Sequence, residues 1–155
     1  MAIEKILLPY NFTQIDQKAV NFVIETFVHL KDIAAITVFN AYTAAPEIET
    51  PATAVTGRLK GSMSYLAQKI SEQENELKVV KQKFIQGGFA ANKINTVFKP
   101  RKKDIASEIM ELALKDKYDV IVLNRKHAKV TRFFSGSVSH KVTMSLQGTT
   151  VCIVS

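Results

Sequence analysis

A cluster of cations, Arg125, Lys126, Lys129 and Arg132, runs directly into Ser135-Gly-Ser-Val-Ser139. Hydroxyl side chains around a glycine suit an anion: Ser135, Ser137 and Ser139 can donate to it, and Gly136 permits close backbone approach. The apolar run Val120–Leu123 precedes the cations, and an apolar pattern of helical period follows the serines. A strand, a basic loop and a helix start in that order favour anions, because the first N–H groups of a helix have no internal partner. A second basic run, Lys99, Arg101, Lys102 and Lys103, follows another short apolar segment. His127 lies in the first basic loop, where a histidine can touch a phosphate or simply face solvent. Taken singly, each basic run reads as a solvated loop and the serines as a helix cap. Only their joint placement argues for a small anionic ligand.

Other chemistries find little support. The chain has no Gly-x-x-x-x-Gly-Lys-Ser/Thr loop and no Gly-x-Gly-x-x-Gly after its first strand. Gly136-Ser-Val-Ser lacks the second glycine of a nucleophile elbow. His29, His127 and His140 lack metal-ligand spacing, so no metal site is expected. Cys152 sits in an apolar segment and reads as a buried, inert thiol. No acid–base pair identifies itself, so catalytic residues are not expected.

The elements that would position these groups follow from periodicity. Ile3–Pro9 is a short apolar run suited to a strand buried on both faces. Thr13 is a candidate N-cap for an amphipathic helix reaching about Lys31. Ile33–Ala41 is the second strand, and Tyr42–Gly61, with two prolines and two glycines, reads as a long loop. Ser62–Gln86 is a long helix with the stripe Met63, Leu66, Ile70, Leu77, Val80 and Phe84. Ile94–Phe98 is the third strand, and Asp104 caps the next helix. Val120–Leu123 is the fourth strand, Ser135 or Ser137 opens the last helix, and Thr149–Val154 is the fifth strand.

The order βαβαβαβαβ, with strands apolar on both faces, predicts an α/β fold: a doubly wound, five-stranded parallel sheet with helices on both sides. In strand order 3-2-1-4-5, winding reverses between the first and fourth strands. Ligands bind at the carboxyl ends of strands at such a point. The turn Tyr10–Thr13 would then face the loop Asn124–Ser135.

The 155 residues fit one domain, 1–155. No apolar run reaches the roughly 18 residues of a membrane span, so no membrane partner is expected. Met1-Ala-Ile-Glu4 lacks the basic start of a signal peptide, and a single cysteine fits a reducing cytoplasm. Lys and Arg outnumber Asp and Glu by 21 to 14, a net +7 that suits an anionic partner or simple solubility. The cations lack the aromatic interleaving of a single-strand platform, so nucleic acid is not the expected partner.

Lys5-Ile-Leu-Leu-Pro9, Asp119-Val-Ile-Val-Leu123 and Gly136-Ser-Val-Ser139 resemble the universal stress protein family, and the resemblance covers essentially the whole chain. It implies the fold read above, a cytoplasmic stress-response module, and a homodimer through the edge strand Thr149–Val154. ATP-binding members carry Gly-x-x-Gly, nine residues, then Gly-Ser/Thr. Here Asn124 and His127 stand at the leading glycines, and eight residues, Ala128 to Ser135, separate His127 from Gly136. The family's Asp after the first strand corresponds to Asn11, and its small apolar adenine neighbour to Asn40. The resemblance thus implies Pro9, Tyr10, Asn11 and Asn40 at the base, with Asn124, Arg125, His127, Gly136, Ser137, Val138 and Ser139 at sugar and phosphates. The later half of the motif is intact and the earlier half is not. The expectation is weak or altered binding of ATP or AMP; the alternative is a protein-interaction module with a vestigial site.

Overall fold

Strands and helices alternate as their periodicities require. A computed structural model describes residues 2–44, 54–125 and 138–155. The strands are β1 (Lys5–Pro9), β2 (Ala35–Tyr42), β3 (Ile94–Pro100), β4 (Val120–Asn124) and β5 (Thr150–Val154). The helices are α1 (Gln14–Phe27), α2 (Ala54–Gln86), α3 (Ile105–Asp116) and α4 (Val138–Ser145). All strand pairs are parallel, in the order β3-β2-β1-β4-β5. The predicted architecture is therefore the observed one.

Alternation along the strands builds two cores. Ile6 and Leu8, Ile36 and Val38, and Val120 and Val122 pack with Val20, Val23 and Phe27 of α1 and Leu77, Val80 and Phe84 of α2. Leu7, Phe39, Ile121 and Leu123 pack on the other side with Ile109 and Leu112 of α3 and Val142 of α4. β1, β2 and β4 are thus buried on both faces, which is why they read as apolar runs, whereas the edge strands β3 and β5 keep exposed positions.

Several boundaries move. Helix α2 starts at Ala54, so the expected loop Tyr42–Gly61 gives up its end to the helix. Gly57 and Gly61, read as loop signals, stand inside it, where a Cβ at either would meet nothing within 4 Å. A helical glycine costs about 1 kcal/mol relative to alanine, and a long helix with a packed end absorbs that. Tyr42 belongs to β2 because it pairs with Pro100, which extends β3 past Phe98. Proline is tolerated there because β3 is an edge strand. Helix α1 tightens into a 3-10 turn at Val28–Leu30. Ile33 and Ala34 then donate their N–H groups to the Leu30 carbonyl, which delays β2 to Ala35. The last helix begins, among the described residues, at Val138; Ser135 and Ser137, expected to open it, lie outside them.

Candidate functional site

The reversal between β1 and β4 brings three chain segments together. β1 ends at Pro9, and Tyr10 N–H still donates to Phe39 O at 2.8 Å. The sheet pairing then stops. Asn40 takes over with its side chain: its Nδ2 donates to the Tyr10 carbonyl at 2.8 Å. That bond fixes the amide's orientation and leaves Asn40 Oδ1 buried without a hydrogen-bond partner among the described residues. Buried acceptors of this kind are uncommon, and each lost bond costs about 1–3 kcal/mol.

The turn after Tyr10 is tight. Phe12 adopts a left-handed conformation, φ 60°, which is rare for a bulky side chain. The turn aims the N–H groups of Asn11 and Thr13 at one point, as in an anion-binding nest. The point is occupied from within. Asp16 Oδ2 accepts from Asn11 N at 3.1 Å, Thr13 N at 3.0 Å and Thr13 Oγ1 at 2.6 Å. Thr13 is the N-cap of α1 and forms a reciprocal capping box with Asp16. The other carboxylate oxygen accepts from Asn124 Nδ2 at the end of β4. Asp16 is 1% exposed, so one buried carboxylate ties the β1–α1 turn to β4 across the switch point.

Tyr10 is buried, stands edge-on to Phe12, and accepts from Gln17 Nε2, whose Oε1 accepts from Lys83 of α2. Burial first, then the charges of Asp16 and Glu76, push its phenol up to about 12. Tyr10 is therefore a neutral wall of the site and not an acid near neutral pH.

The basic edge is partly neutralised. Lys99 pairs with Glu108 at 3.3 Å, and Lys103 with Glu111 at 3.0 Å. Arg101 reaches Thr43 Oγ1 at 3.5 Å. Glu108 is buried and accepts from the N–H groups of Lys102 at 2.8 Å and Lys103 at 3.0 Å, so it clamps the β3–α3 turn. The Lys102 N–H, then the Lys103 N–H and the Lys99 ammonium, outweigh burial and hold its carboxyl below the ordinary 4.5. A depressed folded value means this stabilisation is fully present above about pH 4.5 and disappears as pH falls through the folded pKa. Glu108→Gln should therefore flatten the acid limb of a stability-versus-pH curve below that value. An unchanged limb would show that Glu108 does not drive acid unfolding.

Of the expected site residues, Tyr10 meets Asn40, Asn11 and Asn124 meet through Asp16, and Pro9 ends β1 beside Phe39. Arg125 follows Asn124 and donates its N–H to Val154 O at 2.8 Å. Val138 and Ser139 form the described start of α4. His127, Gly136 and Ser137 lie outside the described residues. Asp16 was missed, although Thr13-Gln-Ile-Asp16 is the sequence pattern of a capping box.

Residues 2–151 match the model of the universal stress protein family. No curated protein matches the chain in sequence. Among solved structures, universal stress protein UspA from Lactobacillus plantarum aligns at TM-score 0.70 and 16% identity, over 100% of this chain and 99% of that one. A universal stress protein in complex with cAMP aligns at 0.66 and 15%, over 100% and 98%. One from Archaeoglobus fulgidus in complex with dAMP aligns at 0.65 and 14%, over 100% of both chains. At these identities the likeness establishes the fold.

Proposed function

The chain belongs to the universal stress protein family, and from that premise we propose that it is a stress-response module binding an adenine nucleotide weakly at the carboxyl edge of its sheet. The observation that carries this reading is the turn after β1, held by Asn40 of β2 on one side and, through Asp16, by Asn124 of β4 on the other. The buried Oδ1 of Asn40, unpartnered among the described residues, suits a donor such as an amine. The fold relatives in complex with cAMP and dAMP support an adenine ligand of this kind. ATP and AMP are the ligands to test. Arg125, with Gly136, Ser137 and Ser139, would face the phosphates. Binding that favours the folded state raises stability by RT ln(1 + [L]/Kd), about 1.4 kcal/mol at tenfold excess over Kd. Melting should therefore rise by a few degrees in millimolar AMP or ATP.

One observation favours a second reading, in which the site is vestigial and the module works through protein partners. Asn124 fills a leading glycine position of the family motif and is bound to Asp16. Melting indifferent to both nucleotides would select that reading.

Under either reading we propose a cytoplasmic homodimer paired through β5. No helix among the described residues is long and apolar enough to cross a membrane. β5 is a sheet edge, and its Ile153 is 48% exposed, a surface that pairing would cover. Ile153→Lys should convert the dimer to monomer in sedimentation; a persistent dimer would place the interface elsewhere.

A further inference from the structure

Resting on the adenine-nucleotide reading above, we propose that Asn40 is a specificity-determining residue that reads the base by its exocyclic amine, so that the site takes 6-aminopurines and rejects 6-oxopurines. An asparagine amide ordinarily serves donors and acceptors alike, because it can turn end for end. Here one end is spent: Asn40 Nδ2 donates to the Tyr10 carbonyl at 2.8 Å. Turning the amide over would set Oδ1 against that carbonyl. The amide is therefore locked, and what it presents is an acceptor. Oδ1 is buried and has no hydrogen-bond partner among the described residues, and Asn40 as a whole is 6% exposed.

The surroundings suit a planar heterocycle. Side chains alternate along β2, so Asn40 shares its face with Val38 and Tyr42, and its register partner on β3 is Phe98. The Tyr42 and Phe98 rings stand 4.5 Å apart, and Phe12 stands edge-on to Tyr10 at 5.1 Å. Tyr42, Phe98 and Phe12 are each partly exposed, so aromatic surface is open to a ligand on the side of the sheet that holds the orphan acceptor. Oδ1 itself is closed to solvent. A base reaches it only past the side chains that cover it, and the bond then made meets no competing water. Donor chemistry at the base's C6 position therefore decides the outcome. An amine there satisfies Oδ1, a hydrogen leaves it orphaned, and a carbonyl sets acceptor against acceptor. A buried water on Oδ1 would satisfy the atom equally well and give no preference among bases.

The experiment is calorimetric titration of nucleotide-stripped protein with AMP, purine riboside 5′-monophosphate and IMP, for the wild type and for Asn40→Val. The three ligands carry an amine, a hydrogen and an oxygen at C6 and share one sugar phosphate, so whatever holds the phosphate cancels in their ratios. The wild type should bind AMP about tenfold more tightly than either of the others. Asn40→Val removes the acceptor and should bring AMP to within about twofold of purine riboside 5′-monophosphate. A purely structural Asn40 would weaken all three together and leave the ratios alone. Equal affinities of the wild type for AMP and either analogue overturn the proposal while the nucleotide reading stands, and this result needs no variant that folds. A preference for AMP that survives in Asn40→Val also overturns it, since the amine is then read elsewhere. If AMP itself fails to bind, the nucleotide reading falls and this proposal with it.

Discussion

Asp16→Ala should lower unfolding stability by about 2–4 kcal/mol, far more than the usual loss of about 1 kcal/mol for a helix cap. The excess has a specific source. Asp16 closes the capping box of α1, and it also holds the Asn124 amide, 108 positions away in sequence. Removing the carboxylate strands the Asn11 and Thr13 N–H groups and the Asn124 amide together, in a place that water enters poorly because Asp16 is buried. Urea unfolding with an unchanged m-value measures the loss. A cost below about 1 kcal/mol would reduce Asp16 to an ordinary cap and remove the link between α1 and β4.

Phe84→Ala should cost about 3–5 kcal/mol, the range for emptying a fully buried aromatic site. Phe84 is 0% exposed, stands edge-on to Phe89 with ring centroids 5.8 Å apart, and anchors the end of α2 on the sheet. Gly87 and Gly88 turn the chain so that Phe89 N–H donates back to Phe84 O at 3.1 Å. Rigid backbone on both sides limits collapse of the cavity. Val79→Ala on the same helix should be within about 0.5 kcal/mol of neutral, because Val79 is 61% exposed. Similar losses at both positions would contradict the packing described for α2.

These two residues mark what the sequence could and could not disclose. Phe84 was legible: it closes a stripe of helical period, and periodicity reports burial. The parallel sheet covered on both sides was legible for the same reason, since β1, β2 and β4 read as apolar on both faces, while the strand order came from the family resemblance. The start of α2 was not, because Gly57 and Gly61 carry loop signals that a long helix overrides. Within the proposed site, family resemblance named Asn11, Asn40 and Asn124, but no local pattern says what their side chains touch. The bond from Asn40 to the Tyr10 carbonyl depends on β1 leaving the sheet while β2 continues. The role of Asp16 depends on β4 arriving beside α1, a contact between distant segments. Its capping-box pattern predicted a local bond and was silent about the long-range one. The basic run after β3 was read as facing a ligand. Two of its cations instead meet Glu108 and Glu111, acids of the following helix that lie within one turn of each other.

The proposed adenine nucleotide would bind at the turn after β1, between Asn40 of β2 and Asn124 of β4. The most direct test is a nitrogen–proton NMR titration of the nucleotide-stripped protein with AMP, following backbone and side-chain amides. Saturable shifts are expected for the Asn40 and Asn124 side-chain amides and the Tyr10, Asn11 and Arg125 backbone amides, with the opposite end of the strands, around Lys5 and Asp119, unmoved. Spectra that stay unchanged in millimolar AMP, or shifts confined to residues away from the switch point, would contradict it.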